Sequence, residues 1–318
     1  MSDVVGEPSE DGLVWHYTNG TGLVSIVRSH VLWATASGFL NDRDEVRLGL
    51  RLLRDELVAR AGGGDDFARD LLERVLSTEQ ASPRSSASTF FILSAAEHWD
   101  LLAMWRLYGG HGESYAIGLD PSVPLGVLCD EGAPALAGDP DDVMVVQRPW
   151  TSVRYSAEGQ RALAAAVFDG MEDELKALRA RVEREGEVTH RIVVETLGET
   201  LDDIEQALAL IKHEGFHAER EVRHSSVLLH PDDLAPWRGV VRYRASAYGM
   251  APHLWLTGAG PDAGAASPLT SSVAALPIRA VAISPSPTGR DAERSLAALL
   301  ASEGYDVEVR RSGIPFRG

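Results

Sequence analysis

The chain of 318 residues carries 47 acidic and 30 basic side chains, a formal net charge of −17. Hydrophobic residues make up 44% and charged residues 24%, a balance typical of folded domains, which excludes a disordered tail and a collagen-like fibre. The single cysteine, Cys129, excludes an intrachain disulfide and a multi-cysteine zinc site, and the excess of acid disfavours bulk nucleic-acid binding but leaves a local basic cleft open.

The ends and the apolar stretches of the chain favour a cytoplasmic protein. The first seven residues have neither the basic start nor the apolar run of a signal peptide. The most apolar window, 273–284, is interrupted by Pro277 and Arg279, so no membrane span is expected.

The first half of the chain alternates short strands with helices. Strands are predicted where β-branched and aromatic residues run together, and helices where apolar residues recur every three or four positions. Strands are predicted at 13–17, 31–34, 89–94 and 114–119, and helices at 21–29, 44–61, 65–76 and 98–108.

The second half begins with a loop at 130–142, which is rich in Gly, Pro and Asp. Two long helices are then predicted, at 157–184 and 188–213, and core packing explains the apolar stripe of the second. Strands are predicted at 143–147, 153–155, 221–229, 239–244, 253–256, 278–284 and 307–310, with a helix at 291–302.

This order of elements predicts an α+β fold. We expect one domain over residues 1–318, mostly antiparallel, with a helical hairpin inserted at about 157–213. A division into two domains near Asp142 is the alternative.

One segment matches a zinc-hydrolase pattern, His213-Glu214-Gly215-Phe216-His217. On an α-helix, histidines four residues apart share a face and can bind zinc, and the glutamate between them can deprotonate a bound water. Gly215 weakens such a helix, and the motif falls where a predicted helix gives way to a strand. Chance explains the match better than zinc does, but a zinc-dependent hydrolase stays open as an alternative.

Two further groups of residues are candidates for chemistry. In a strand, Glu219 and Glu221 would point to the same face, where they form either a site or a solvated charged ladder with Arg220 and Arg223. His16 lies on the first predicted strand, where a histidine is more often structural than functional.

Taken together, these segments resemble a family of bacterial domains of unassigned function. Its members share a His-Tyr-Thr strand, an Asn-Asp-x-x-Glu element, a strand ending in serine, a Met-Trp helix and a late Phe-x-x-Glu-x-Glu-x-Arg segment. The matching segments here are 16–18, 41–45, 89–94, 100–108 and 216–223.

The order of a strand histidine, a serine-ending strand and a late Glu-x-Glu strand is in turn similar to the ADP-ribosyltransferase superfamily. The resemblance implies an ADP-ribosyltransferase-like split sheet and NAD as co-substrate, with no metal. Cleavage of the nicotinamide–ribose bond passes through an oxocarbenium-like ribose, which a carboxylate stabilises.

The resemblance also implies roles for individual residues. The catalytic group would comprise Glu221 as the carboxylate, Glu219 as the residue that orients the acceptor and Ser94 as a support for Glu221. His16, with Tyr17 and Thr18 on the same strand, would bind NAD, and Tyr108 or Tyr115 would stack on nicotinamide.

The sequence therefore leads to one expected function with two alternatives. We expect an NAD-consuming ADP-ribosyltransferase or NAD glycohydrolase, of the kind that serves as a toxin or phage-defence effector. Its acceptor is unidentified, with a protein or small molecule favoured over bulk nucleic acid. The alternatives are the zinc hydrolase and a non-catalytic binding module in which the late glutamates pair with arginines.

Overall fold

The computed structural model describes residues 11–39, 43–77, 90–109, 112–137, 144–185, 203–204, 206–229, 237–246, 249–259, 268–286 and 289–315. The chain divides into two compact units. The helical unit takes in described residues within Leu40–Phe90 and Val153–Phe216. The sheet unit takes in those within Val5–Phe39, Phe91–Ser152 and His217–Gly318. Whether the helical unit is an insertion in one domain, as the sequence predicts, stays a prediction.

The helical unit contains α2 (Arg43–Gly62), α3 (Asp66–Ser77) and α6 (Ala157–Glu185). Apolar residues at helical spacing, among them Leu53, Leu57 and Phe168, pack into one buried cluster. Arg60 ties two of the helices together, because it donates hydrogen bonds to Glu56, to Asp169 and to the carbonyl of Ala165. The predicted second long helix, 188–213, falls largely outside the described residues.

Twelve strands form one sheet in the described part of the sheet unit. The first six are β1 (Val14–Asn19), β2 (Leu32–Ala36), β3 (Phe90–Ala96), β4 (Ser114–Leu119), β5 (Leu125–Leu128) and β6 (Met144–Ser152). The others are β7 (Glu221–Leu229), β8 (Arg242–Ser246), β9 (Gly249–Gly258), β10 (Leu269–Thr270), β11 (Ile278–Ile283) and β12 (Glu308–Arg311).

The main path through the sheet runs β10-β5-β9-β2-β3-β1-β4-β11-β12. Strand β8 pairs with β9, and β7 pairs with both β3 and β6. Among the strand pairs whose register is described, β10 with β5 and β11 with β12 are parallel and the others are antiparallel. The predicted α+β class with a largely antiparallel sheet is therefore confirmed.

Helices α1 (Gly20–Ser29), α4 (Leu102–Gly109), α5 (Pro134–Ala137) and α7 (Arg290–Ser302) complete the sheet unit. Helix α1 begins where the side chain of Asn19 accepts a hydrogen bond from the N–H of Gly22. Gly22 is required there, because a Cβ at this position would overlap the hydroxyl of Thr18.

Two buried clusters mark the two faces of the central strands. The main cluster contains Val14 of β1, Leu93 of β3, Ile117 of β4 and Val222 of β7. The second cluster contains residues of β1, β3 and β4 that point to the other face, together with two residues of α4. They are Trp15, Tyr17, Ala96 and Ala116, with Met104 and Trp105. Since side chains alternate along a strand, cluster membership tells which face each neighbouring residue occupies.

The structure differs from the predictions in several local elements. The predicted loop 130–142 contains the short helix α5. The predicted strand 153–155 is reduced to one bridge between Arg154 and Ile211. Strand β5 was not predicted, since its four residues include Gly126 and its partners lie far away in the chain.

In the described residues no helix is both long enough and apolar enough to cross a membrane.

Candidate functional site

The sheet divides at β3. This strand has three partners, β1, β2 and β7, although a strand has only two edges, so two partners share one edge over different stretches. Strand β2 pairs with β3 at Phe91 and Ile92, and β1 pairs with it at Ala96. We call residues 92–96 of β3 the fork, because they run from the end of its pairing with β2 to its pairing with β1.

His16 lies at the fork. Its Nδ1 is 2.9 Å from the carbonyl oxygen of Ser94, which lies between the pairing with β2 and the pairing with β1. A carbonyl only accepts, so Nδ1 carries the proton and the neutral ring presents Nε2 as an acceptor. Burial lowers the pKa of His16, and the bond to Ser94 only partly offsets this, so the ring is neutral at pH 7. Within the described residues Nε2 has no hydrogen-bond partner.

Two other residues that were predicted to bind NAD lie on the same face as His16. In the register of β1 with β4, His16 is opposite Ile117 and Thr18 is opposite Tyr115. Because Ile117 lies in the main cluster, alternation puts His16, Thr18 and Tyr115 on the face of that cluster, in a row. All three of these side chains are half-buried.

Tyr115 belongs to a hydroxyl–carboxylate group that the sequence analysis missed. Its hydroxyl donates to Oε2 of Glu113 at 3.2 Å, and the hydroxyl of Ser286 donates to Oε1. Burial and the neighbouring carboxylate raise the pKa of Tyr115 to about 12. Glu113 and Tyr115 are neighbours in the chain, whereas the pairing of β4 with β11 brings Ser286 to them, which no local pattern could have indicated.

The other two tyrosines that were predicted to bind NAD, Tyr17 and Tyr108, lie away from the face of His16. Tyr17 is in the second cluster, where its hydroxyl donates to the carbonyl of His98 at 2.9 Å and accepts from the N–H of Leu101 at 3.1 Å. Burial raises its pKa, and its exposure is 2%. Tyr17 therefore supports the loop at His98 and Leu101, and its predicted role in NAD binding stays a prediction that its burial does not favour. The ring of Tyr108 lies 6.3 Å from that of Tyr17. Of the two tyrosines predicted to stack on nicotinamide, Tyr115 is therefore the one on the face of His16.

Glu221, the first residue of β7, is held in a buried ion pair. Arg223 donates to it twice at 2.8 Å, from Nε to Oε1 and from Nη2 to Oε2. The side chains of Arg223 and Glu221 are only 5% and 8% exposed. Val222, between them, packs in the main cluster, so Glu221 and Arg223 lie on the face opposite to that of His16. The sequence-based expectation of Glu221 beside His16 is therefore not met.

Glu219 does not share a strand face with Glu221, which corrects a second expectation. It ends a 3-10 helix, Glu214–Glu219, and β7 starts two residues later. Between them Arg220 has the left-handed φ of 45°, which turns the chain and breaks the alternation.

Ser94 lies within the fork and Glu97 follows it, and their side chains lie on opposite faces of the sheet. Ser94 is half-buried, and alternation places its side chain with Ala96, on the side of Glu221. Glu97 follows β3 directly and falls on the face of His16. This agrees with its bond from Ser152, which is paired with Val222 of the main cluster.

Glu97 is a carboxylate that the sequence analysis overlooked. Its Oε1 accepts from the hydroxyl of Ser152 at 2.8 Å, and its Oε2 accepts from Nε of Arg220 at 3.1 Å. Its backbone N–H donates to the carbonyl of Arg220 at 2.8 Å, which joins β3 to the start of β7. Because Trp15 pairs with Ala96, Glu97 lies diagonally across from His16, and diagonal neighbours in an antiparallel pair are typically roughly 7–8 Å apart, with their Cβ atoms somewhat closer.

The predicted zinc motif does not have the geometry that it requires. Residues Glu214–Glu219 form a 3-10 helix with about three residues per turn, whereas the zinc pattern needs α-helical spacing. Nδ1 of His213 accepts the N–H of Gly215 at 3.0 Å. Among the described residues no group of three His, Cys, Asp or Glu side chains could hold a metal ion. Because the 3-10 geometry does not match the zinc pattern, the zinc hydrolase stays an untested alternative that we do not propose.

Comparison with known proteins adds one finding. Residues 104–224 match the model of a family described as a protein of unknown function (DUF2971). This confirms the expected likeness to domains of unassigned function over a stretch that includes α4, β4, Glu219 and Glu221. No curated protein matches the chain, and no solved structure matches it.

Proposed function

We propose that this protein cleaves the nicotinamide–ribose bond of NAD, as an ADP-ribosyltransferase or an NAD glycohydrolase. The observation that carries the proposal is the imidazole of His16 at the fork, with Nδ1 fixed by Ser94 and Nε2 unpartnered in the described part of the chain. A half-buried acceptor in fixed orientation suits a ribose hydroxyl, which donates one hydrogen bond.

The row of His16, Thr18 and Tyr115 supports a dinucleotide as ligand. Thr18 adds a hydroxyl that can donate to a phosphate or a carboxamide oxygen, and Tyr115 adds an aromatic ring for a planar base. The resemblance to ADP-ribosyltransferases assigns the same tasks to His16 and to one of the tyrosines.

The reaction needs a carboxylate near the bound ribose. As nicotinamide leaves with the electron pair of the C1′–N bond, positive charge develops on the ribose, and a carboxylate stabilises it. The resemblance assigns this role to Glu221, with Ser94 as its support. The face of His16 favours Glu97 instead, and we propose Glu97 as the carboxylate that contacts the ribose.

The acceptor completes the reaction by attacking C1′ and losing a proton. Water as acceptor gives ADP-ribose, and a nucleophile on a protein or small molecule gives an ADP-ribosylated product. The half-buried Glu219, close to β7 in the chain, remains the proposed residue for orienting that acceptor. A cytoplasmic toxin or phage-defence effector remains the proposed setting on the resemblance alone.

One observation favours a second candidate function, a non-catalytic binding module. The buried pair of Glu221 and Arg223 is the arrangement expected if the late carboxylate serves the fold. In that case the chemistry that the resemblance implies would be absent, and no variant would alter any turnover.

Nicotinamide release from NAD is the experiment that tests the proposal. Wild type should release nicotinamide, Glu97→Gln should reduce the rate per folded molecule by about 100-fold or more, and Glu219→Gln should mainly lower transfer relative to hydrolysis. Asp291→Asn, at a carboxylate that is 89% exposed, is the matched control and should behave as wild type.

Two outcomes would count against this account in different ways. Loss of turnover in folded Glu221→Gln with full activity in Glu97→Gln would restore the assignment made by resemblance. Wild type that releases no nicotinamide, with or without a cell extract as a source of acceptors, would refute the function itself.

A further inference from the structure

The outer face of β2, β9 and β8 carries rings and cations that the proposed function does not use. The register pairs Trp33 with Trp255 and Arg242 with His253, and paired residues share a face. The opposite face is core, since Leu32 and Leu254 are fully buried in the main cluster. We call the outer set the arginine–tryptophan face: Trp33, Arg242, Arg244, His253 and Trp255.

The side chains of the arginine–tryptophan face stack on one another. The guanidinium of Arg242 lies 3.9 Å from the ring centroid of Trp255, and that of Arg244 lies 5.7 Å from the ring of Trp33. The ring of His253 is 4.8 Å from that of Trp33. Trp33 is nevertheless 46% exposed, so a large part of its surface remains open to a ligand.

Positive charge on this face is only partly compensated. Asp130 pairs with Arg242 at 2.7 Å, whereas Arg244 donates to the hydroxyl of Thr35 at 3.2 Å. The two arginines are two residues apart on one strand face, where like charges repel. Burial is the main cause of the lowered pKa of His253, and the charges of Arg244 and Arg242 lower it further.

Two guanidinium atoms on this face have no partner within the protein. In the part of the chain that the structure describes, Nε of Arg242 and Nε of Arg244 are buried without a hydrogen-bond partner. The ring of His253, in contrast, accepts from Nε1 of Trp255 at 3.2 Å and has a backbone hydrogen bond to Ala251. Native proteins rarely leave buried donors unsatisfied, so both arginines keep hydrogen-bonding capacity on one cationic face of a chain whose net charge is −17.

We propose that the arginine–tryptophan face binds single-stranded nucleic acid, with a base stacked on Trp33 and phosphates held by Arg242 and Arg244. Bases of a single strand offer free π-faces, and combined aromatic and arginine surfaces bind them with little sequence preference. The negative net charge disfavours binding over the whole surface, but it does not oppose a local cationic patch of this kind. This inference is independent of NAD cleavage.

Fluorescence anisotropy with a labelled oligouridylate of about 12 nucleotides, spanning a typical single-strand site, tests the inference on the full chain. Trp33→Ala should weaken binding by about 10-fold or more, and Trp33→Phe should keep most of it because a ring remains. Arg244→Gln should lower the slope of log affinity against log salt by about 0.7, the contribution of one phosphate. Arg294→Gln, at an arginine that is 79% exposed elsewhere, should leave the slope unchanged.

Several results would overturn the inference. One is that wild type does not bind the oligonucleotide at low salt. A second is that wild type, Trp33→Ala and Arg244→Gln bind it with equal affinity. A third is that wild type binds polyglutamate or a duplex as tightly as the single strand. Equal affinity for uridine monophosphate would indicate a small-molecule site instead. His16→Asn should bind the oligonucleotide as wild type does, which separates this face from the proposed NAD site.

Discussion

Arg223 binds both carboxylate oxygens of Glu221, two residues before it on β7, through two hydrogen bonds of 2.8 Å. The geometry is bidentate, and both side chains are almost closed to solvent. A buried pair of this kind stabilises a fold little compared with apolar residues, but removal of one partner leaves an uncompensated buried charge.

Glu221→Gln should therefore lower the free energy of unfolding by about 3–5 kcal/mol, because the substitution breaks a buried bidentate ion pair with Arg223. Urea denaturation measures this. The double variant Glu221→Leu with Arg223→Met should recover most of the loss. Asp291→Asn, in an exposed ion pair, should cost less than about 1 kcal/mol. A loss below about 1 kcal/mol in Glu221→Gln would contradict the burial of the pair.

Tyr17→Phe should destabilise the protein without altering NAD turnover per folded molecule. The substitution leaves the carbonyl of His98 and the N–H of Leu101 without their partner, at a cost of about 1–3 kcal/mol. Thermal or urea unfolding gives the first quantity and nicotinamide release the second. Tyr243→Phe, at a tyrosine that is 58% exposed, is the control. A selective loss of turnover in Tyr17→Phe would return Tyr17 to the binding site.

His224 should make stability depend on pH in the acidic range. It lies opposite the bulge formed by Pro149 and Trp150, with its ring 5.5 Å from that of Trp150. Burial lowers its pKa from 6.5 to about 4, although a backbone bond to Arg148 opposes the shift. The unfolded state therefore binds the proton first, and stability is lost as pH falls from about 6.5 towards 4.

The free energy of unfolding should fall by about 3 kcal/mol through His224, because its pKa drops from 6.5 to about 4 on folding. Urea unfolding at pH 7.5, 5.5 and 4.5 measures it. His224→Asn, whose amide nitrogen can replace Nδ1, should flatten the dependence. The same slope in both proteins would show that other groups are responsible.

The local elements of the fold were predictable because their signals are local. The predicted strand 89–94 corresponds to β3, and the predicted helix 291–302 corresponds to α7 almost residue for residue. Apolar periodicity and β-branched runs act over a few residues, so they identify such elements without knowledge of the partners.

The candidate site was less predictable because it depends on pairings between distant strands. His16 and Ser94 are 78 residues apart, and Glu97 is 123 residues from Arg220. The resemblance suggested His16 and Ser94 but not their direct contact. Strand alternation predicted Glu219 and Glu221 on one face, and the left-handed backbone at Arg220 prevents this.

Calorimetric titration of NAD into three proteins tests the central claim most directly, since the claim is that Nε2 of His16 accepts a hydrogen bond from the ligand. Asn at position 16 can keep the bond to the Ser94 carbonyl but lacks Nε2, whereas Gln can place its amide near the Nε2 position. We expect wild type to bind NAD, His16→Asn to bind it about 10-fold more weakly and His16→Gln to lie between them. Wild type that binds no NAD, or an affinity in His16→Asn equal to that of wild type, would contradict the account.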